Sequence, residues 1–317
     1  MPDSLPVHLI INPRSGYGGQ KHLLADVRAA MRAAGIGVVE YTTTAPQDAT
    51  RYAKAVGPCA RAILIWGGDG TVNEVANAVA GTDVPILPFP AGTENLLAKE
   101  LRVPTDPAGV VQTILTGDVV ECDVGRVNGE NFLSIIGVGF DAEVIRRLSA
   151  IRRGHISHLS YFWPLWRTFW EHDFPRLRVV ADGKEIFDDH GLAFVGNISR
   201  YAVGLRVCRD ARFDDGKFDL VVFTCQEQTA LLLHAAWTLL RLHPLKGNVL
   251  YRKVRSVHIE SDRPVPSQVD GDLGPPPPLD ISIASSRIKL LVPHRPETPT
   301  AWGFWPWKQD AGEHRHP

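Results

Sequence analysis

The first ninety residues repeat one unit: a short apolar run, a turn, and then apolar residues at helical spacing. Such runs occur at residues 7–11, 38–42, 62–66 and 85–87. Continuous apolar runs of this length are typical of strands in parallel sheets, and the helices between them cover both faces of the sheet. The repeat therefore predicts an α/β domain built on a mostly parallel sheet.

The pattern changes after about residue 125. Asn128-Gly129 lies between two strand-like runs and is typical of a hairpin turn. Later strand-like runs are separated by turns, and helical spacing is found only around residues 156–174 and 229–242. These features predict a second, mainly antiparallel domain. We place the divisions at 1–125 for the α/β domain, 126–293 for the second domain and 294–317 for a tail rich in proline and tryptophan.

Composition excludes several classes of protein. A formal net charge of −1 over 317 residues gives no overall attraction to nucleic acid, so no nucleic-acid partner is expected. The cysteines, four in all, are too scattered for a zinc site or a disulfide framework, which indicates a reducing cytoplasm. The N-terminus lacks an apolar signal core, and the apolar stretch 229–242 is shorter than the roughly 20 residues that span a bilayer.

Three loops rich in glycine follow the first, third and fourth strands. In the loop Gly67-Gly68-Asp69-Gly70-Thr71, glycines let backbone N–H groups approach phosphate oxygens, and the following helix adds positive potential. Asp69 can orient a hydroxyl group or a metal-bound water, and Thr71 can bind phosphate. A simple glycine turn with Thr71 as a helix cap stays open as the alternative.

The other two loops are 12–19, which begins Asn12-Pro13-Arg14-Ser15-Gly16, and 88–95, which contains Gly92-Thr93-Glu94-Asn95. Neither has the Gly-Lys-Ser/Thr spacing of a P-loop. Because ligands of parallel sheets bind at the carboxyl ends of the strands, we expect the three loops to form the walls of one site.

In this order, the three loops resemble the nucleotide-site motifs of the diacylglycerol-kinase catalytic-domain family, which includes sphingosine and ceramide kinases and bacterial lipid kinases. Residues 123–129 and 137–142 resemble that family's domain junction, and residues 214–219 and 270–272 resemble its two late acidic motifs. The resemblance covers about residues 7–293. It implies an α/β nucleotide-binding domain like those of phosphofructokinase and NAD kinase, followed by a β-sandwich, with the active site in the cleft.

The resemblance also implies residue roles. ATP would be bound by residues of the three loops and their flanks, namely Asn12, Pro13, Ser15, Gly16, Thr44, Gly67, Gly68, Asp69, Gly70, Thr71, Asn73, Glu74, Gly92, Thr93 and Asn95. Mg²⁺ would be held by the Asp215 carboxylate with backbone carbonyls near Arg212 and Lys217. The Asp270-Gly271-Asp272 segment would supply the catalytic base, with Asp69 as a further candidate for the base or a metal relay.

These roles suit phosphoryl transfer to an alcohol, because a carboxylate can accept the hydroxyl proton and Mg²⁺ can offset phosphoryl charge. Two residues depart from the family pattern. Asp272 stands where glutamate is usual and is one methylene shorter, so either Asp270 carries more of the role or the geometry adjusts. Leu96 stands where many bacterial members have aspartate, which weakens the transfer of their substrate preference.

Two aromatic clusters bear on the acceptor. One spans residues 161–170 and the other residues 302–307, and aromatic residues favour membrane interfaces. Core packing is the alternative for the first cluster, and arginines at 146, 147, 152 and 153 flank it. We expect a lipid substrate collected by peripheral contact with the inner face of the membrane. The sequence leaves a homodimer open.

Two other functions stay open at this point. An NAD kinase or sugar kinase uses a related Gly-Gly-Asp-Gly loop, although residues 90–95 and the late acidic motifs favour a lipid kinase. A non-catalytic protein that binds lipid or nucleotide is supported only by Asp272 and Leu96. Among lipid acceptors, the sequence does not distinguish diacylglycerol, sphingoid bases and ceramide.

Overall fold

The computed structural model describes residues 5–15, 20–151 and 162–294. Its first part alternates strands and helices as the apolar repeat predicts. The elements are β1 (Val7–Ile11), α1 (Gln20–Ala33), β2 (Val38–Thr42), α2 (Asp48–Val56), β3 (Ala62–Gly67), α3 (Asp69–Val79), β4 (Pro85–Pro90), α4 (Leu96–Glu100) and α5 (Pro107–Thr116).

Within the described residues, the second part consists mainly of strands, with three α-helices among them. Its elements are β5 (Asp118–Val127), β6 (Glu130–Phe132), β7 (Ile135–Val138), α6 (Phe140–Ile151), α7 (Phe162–Glu171), β8 (Arg176–Ala181), β9 (Lys184–Gly196), β10 (Phe218–Thr224), α8 (Gln228–Leu239), β11 (Val249–Val254), β12 (Ser256–Ser261), β13 (Ser267–Val269), β14 (Asp272–Leu273) and β15 (Leu279–Val292).

In the first part, the strand order β4-β3-β1-β2 places three loop-bearing strands side by side. All three pairings are parallel, so the carboxyl ends of β1, β3 and β4 meet at one edge. Near that edge the buried rings of Trp66 and Phe89 stack with centroids 4.0 Å apart. The predicted parallel sheet is confirmed, and the three loops leave it at one edge.

The second part is the predicted antiparallel, sandwich-like unit. β9 pairs with β7, β8 and β10, and β12 pairs with β8 and β15, all antiparallel. The predicted hairpin at residues 128–129 joins β5 to β6, and both turn residues have positive φ, as such a turn requires. The fold class expected from the sequence is therefore confirmed.

The last strand connects the two hydrophobic cores. Leu279 and Ile281 of β15 pack in the core of the second part, whereas Ile288 and Leu290 pack in the core of the first. Lys289 and Leu290 pair in parallel with β4, so the chain returns to the first sheet at its end. The residue-level divisions at 125 and 293 stay predictions.

Two helical features differ from expectation. α6, which the sequence analysis did not anticipate, begins directly after Gly139 and buries Ala142, Val144 and Leu148. The helix expected over 156–174 is α7, which starts at residue 162 in the described part of the chain.

No helix among the described residues is long and apolar enough to cross a membrane. The aromatic residues 302–307 lie outside the described residues.

Candidate active site

The three glycine-rich loops bond to one another rather than standing as separate turns. The Gly68 N–H donates to Ser15 Oγ at 3.1 Å, and the Asn12 amide donates to Thr71 Oγ1 at 2.8 Å. A Cβ atom on Gly92 would lie 2.6 Å from the Cα of Gly68, which is closer than van der Waals contact allows. Glycine is therefore required where the second and third loops cross.

Asp69 links the same two loops through its carboxylate. Its two oxygens accept the backbone N–H groups of Asn95 and Leu96 at 2.8 and 2.7 Å. Burial raises the pKa of Asp69, and the two amide donors act in the opposite direction. The Asn95 side chain in turn bonds both the N–H and the C=O of Gly92, at 2.7 and 2.8 Å. Asp69 and Asn95 thus shape the loops.

Asp270 holds an equivalent position in the second part of the chain. Its carboxylate accepts the backbone N–H groups of Leu133, Ser134 and Ile135 at 2.8, 2.7 and 3.1 Å. Burial is the main cause that raises its pKa to about 6, and the negative charge of Asp69 also contributes. Leu133, which Asp270 bonds, packs in the hydrophobic core of the first part, so the Asp270 turn lies against the unit that carries the glycine loops.

Asp272 differs from Asp270 although only Gly271 separates them. It begins β14, and its side chain is exposed. Backbone groups fix the turn before it, because Asp270 has a positive φ of 52° and the Gly271 N–H donates to the Gln268 side chain at 2.9 Å. The turn therefore orients Asp272 without burying it.

The other acidic segment, 212–217, is tied to a buried aspartate and a lysine. The Gly216 N–H donates to Asp123 Oδ2 at 2.6 Å, and Asp123 is fully buried. The Lys253 ammonium group lies 2.9 Å from both Asp215 Oδ2 and Asp219 Oδ1. Arg212 donates to Asp214 at 3.2 Å, and the Lys217 N–H donates to Asp215 Oδ1 at 3.1 Å.

This segment has the donor chemistry of a magnesium site but not a cluster of acidic side chains. One carboxylate, Asp215, with the carbonyl oxygens of Arg212 and Lys217 is the oxygen-only set that a hard cation prefers. Among the described residues, no group of three or more His, Cys, Asp or Glu side chains is placed to hold a metal ion. Backbone carbonyls would have to complete the shell.

The remaining predicted nucleotide contacts fall into two groups. Thr44 is engaged with the start of α2, because its N–H and hydroxyl both donate to Asp48, at 2.8 and 2.7 Å. On α3, Asn73 accepts from Asn77, and the Glu74 carbonyl accepts the Thr50 hydroxyl. Residues at the loops themselves are Pro13, Gly67, Gly70 and Thr93. Gly16 lies outside the described residues.

Two acidic residues near the cleft received no role from the sequence. Asp123 is described above, and Asp141 accepts a hydrogen bond from the Tyr201 hydroxyl at 3.0 Å. Burial raises the pKa of Asp141 to about 6. A Cβ atom on Gly137 would lie 1.9 Å from Asp141 Oδ2, so the glycine makes room for the carboxylate. Both lie in the junction segments noted in the sequence, which is the signal that could have identified them.

A contact between the two parts of the chain was also missed. The Ser199 hydroxyl donates to the Glu100 carboxylate, at 3.1 and 3.0 Å from its two oxygens, and Arg200 lies 3.5 Å from the same carboxylate. Because Glu100 ends α4, this contact lies one short helix away from Asp69. No motif predicts it, since the residues are about one hundred positions apart.

Comparison with known proteins agrees with this geometry. The family model of the diacylglycerol kinase catalytic domain matches residues 6–127. The model of the YegS C-terminal NAD kinase beta sandwich-like domain matches residues 134–292. Together they cover both parts of the fold described above.

Individual relatives match over nearly their whole length. A diacylglycerol kinase of Mycobacterium tuberculosis is 30% identical over 304 residues, covering 90% of this chain and 95% of the relative. One of Staphylococcus carnosus is 30% identical over 292 residues, covering 90% and 94%. Among solved structures, a Bacillus anthracis protein has a TM-score of 0.74 at 25% identity and covers 90% of this chain and 96% of its own.

The chain therefore belongs to the diacylglycerol kinase family. The enzyme is a lipid kinase, as the sequence analysis predicted, and membership of a kinase family implies the use of ATP.

Proposed function

We propose that the protein transfers the γ-phosphoryl group of ATP to the hydroxyl group of a lipid, with diacylglycerol as the first candidate acceptor. The carrying observation is that Asp270 bonds the N–H of Leu133, which packs in the hydrophobic core of the first part, so the acidic turn lies against the unit that bears the glycine loops. A donor site and an acidic turn are thus opposed across one cleft. The names of the relatives, which are diacylglycerol kinases, support this choice of acceptor.

The nucleotide phosphates bind over the interlocked loops. Gly68 and Gly92 leave no side chain between the phosphates and the backbone, and α3 begins at Asp69. The first N–H groups of a helix have no partner within the helix and carry partial positive charge, which favours a phosphate there. Asp69 holds this arrangement by bonding the third loop at Asn95 and Leu96, so its role is to position the loops.

Asp272 is the better candidate for the catalytic base within the Asp-Gly-Asp segment. Three backbone N–H groups already occupy the Asp270 carboxylate, which makes Asp270 a positioning residue. Asp272 is exposed on the same turn, so a hydroxyl group can approach its carboxylate. A carboxylate placed in this way accepts the hydroxyl proton as the new P–O bond forms.

Magnesium enters this proposal through Asp215 and the carbonyls of Arg212 and Lys217, which would hold it. A bound Mg²⁺ ion offsets negative charge on the phosphoryl oxygens. The chain's own contribution is to keep this segment in shape, since Asp123 bonds Gly216 and the Lys253 ammonium group bridges Asp215 and Asp219.

A transfer assay with labelled ATP tests the proposal. Purified protein is incubated with γ-labelled ATP, Mg²⁺ and detergent-dispersed diacylglycerol, sphingosine or ceramide, with NAD as a further acceptor. We expect label on a lipid, loss of that label in Asp272→Asn, and retention in Asp188→Asn, which changes an exposed ion pair. Label on NAD alone, or ATP binding without turnover on any acceptor, would refute the proposal.

A further inference from the structure

α8 presents an unusual concentration of exposed apolar side chains. Its inner face buries Leu231, His234 and Thr238. The outer face and the turn after it carry six of the thirteen large exposed hydrophobic side chains found in the described part of the chain, with exposed fractions from 39% to 74%. We call this set the leucine face, and its members are Leu232, Leu233, Leu239, Leu240, Leu242 and Leu245.

The leucine face is held in place by buried contacts. The His234 imidazole donates to the Thr224 carbonyl at 2.8 Å, and the His243 imidazole, which is fully buried, donates to the Val207 carbonyl at 2.7 Å. Between them α8 ends, and Arg241 just after it has a positive φ of 59°. The exposed leucines are therefore displayed by an anchored element and need a partner surface to leave water.

Basic groups border the leucine face at its carboxyl end. Arg241 lies between Leu240 and Leu242, and its charge, with those of Arg200 and Arg102, helps to lower the pKa of Arg206. Burial is the larger cause of that lowered pKa, and Glu100 acts against it. We call the four arginines the arginine cluster. Within this group Arg200 lies 3.5 Å from the Glu100 carboxylate, and Glu100 also acts on Arg206. Arg241 is exposed beside the leucine face, where an anionic partner would be favourable.

The arginine cluster also borders the candidate active site. Arg206 donates to Ser199 at 3.0 Å, and Ser199 donates to Glu100. Glu100 ends the five-residue helix α4, whose first residue, Leu96, bonds Asp69. At 1.5 Å per residue, the length of α4 places the Glu100 end, beside the arginine cluster, about 7 Å from the Leu96 end, beside Asp69.

We propose that the leucine face and the arginine cluster together form a docking surface for an anionic lipid bilayer. Leucines enter the acyl boundary while arginines contact acidic headgroups, which is the arrangement of interfacial helices. A second copy of the chain suits this surface less well, since a twofold contact would oppose two arginine clusters. The inference rests on the proposed function, because the bilayer is where the lipid acceptor resides, and docking would turn the cleft toward it.

Vesicle binding without ATP tests the docking surface independently of catalysis. Protein is sedimented with phosphatidylcholine vesicles with and without phosphatidylglycerol. Leu240→Ser combined with Leu245→Ser should weaken binding by about 100-fold, at about tenfold for each leucine that loses its burial. Arg241→Gln should cost about fivefold on anionic vesicles only, and added salt should reduce that difference. Leu115→Ser, at an exposed leucine of the first part, is the matched control.

The outcomes separate docking from catalysis. We expect the double leucine variant to keep wild-type activity on detergent-dispersed lipid and to lose activity only on vesicles. Wild-type vesicle binding by that variant would overturn the docking proposal. So would loss of binding confined to Trp166→Ser with Trp170→Ser on α7, or a wild-type dimer that the leucine variant converts to a monomer. If the detergent assay fails in the wild type while vesicle binding persists, only the proposed function falls.

Discussion

The two sides of the cleft are built in different ways. On the glycine-loop side, three loops from three strands bond to one another, through the pairs Ser15–Gly68 and Asn12–Thr71 and the bonds of Asp69. On the acidic side, one turn takes its shape from a neighbouring loop of the same unit, because Asp270 bonds three consecutive backbone N–H groups. Each side is thus organised within its own part of the chain.

The comparison shows that the shape of each side and the distance between the two sides are set by different contacts. Direct bonds that cross between the sides include Ser199–Glu100. The two half-buried aspartates, Asp69 and Asp270, also interact through their charges. The strands β5 and β15, which pass from one core to the other, set the distance between the sides. Substitutions on either side should therefore impair that side first.

The largest expected effect comes from substituting the two aspartates of the acidic turn one at a time. Asp272→Asn should lower kcat by about 100-fold to 10,000-fold with little change in melting temperature, since the exposed side chain keeps its size and one carbonyl oxygen but can no longer accept the proton. Asp270→Asn should lower both kcat and melting temperature, because an amide group replaces an oxygen that accepts backbone N–H groups. Single-turnover kinetics and thermal denaturation measure the two quantities. Loss of stability in Asp272→Asn would contradict the assignment.

The crossing of the glycine loops is the next point to test. Gly92→Ala should destabilise the protein by about 1–3 kcal/mol, because its Cβ would overlap the Gly68 backbone. It should also raise the KM for ATP more than the KM for lipid. Urea denaturation and initial-rate kinetics measure both effects. Gly37→Ala is the control, since no atom lies within 4 Å of a Cβ there. Equal effects of the two substitutions would refute the interlocked arrangement.

A third substitution tests the lysine that holds the other acidic segment. Lys253→Met leaves the fully buried Asp219 without its ammonium partner, and we expect a loss of about 2 kcal/mol after allowance for the exposed part of the lysine. Lys289→Met removes an ion pair to the exposed Asp83 and should cost under about 0.5 kcal/mol. Chemical denaturation of both variants gives the comparison, and similar losses would show that Asp219 does not depend on Lys253.

The smallest predicted effect concerns pH and the acidic side of the cleft. Burial lowers the pKa of His172 to about 4, below the ordinary value of 6.5. As the pH falls through 6.5, the unfolded chain binds the proton first, so stability should fall by about 1 kcal/mol by pH 5.5.

Two carboxyl groups act with the opposite sign. The pKa values of Asp141 and Asp270 are raised to about 6, so protonation below pH 6 favours the folded state. The measurement is therefore the free energy of unfolding of the wild type and of His172→Gln, determined by denaturation at each pH. The difference between their two pH dependences isolates the effect of His172. His22→Gln, at an exposed histidine, is the control. Identical slopes for wild type and His172→Gln would exclude His172 as the source.

Much of the fold was predictable because local signals agreed with the tertiary environment. Four apolar runs became the parallel strands β1 to β4, and Asn128-Gly129 formed its hairpin. α6 escaped prediction although its buried residues recur at near-helical spacing. Their signal was weak, since Arg146 and Arg147 fall within the same twelve residues.

The sequence by itself determined the order of the motifs, the family and the chemical character of the cleft. A strand's apolar run and a glycine's conformational freedom are local properties, so they can be recognised without knowing what lies nearby. The division of labour between Asp270 and Asp272 was not accessible in this way. Both are aspartates in one turn, and only folding decides which of them meets the backbone of residues 133–135.

The tertiary structure alone also decided which surface could meet a lipid bilayer. The sequence pointed to aromatic clusters, whereas the leucine face arises because His234 and His243 anchor one side of α8 and leave the other exposed. The arginine cluster draws on residues from 102 to 241, which are distant along the chain. Contacts of this kind depend on how strands and helices pack, and no local pattern records them.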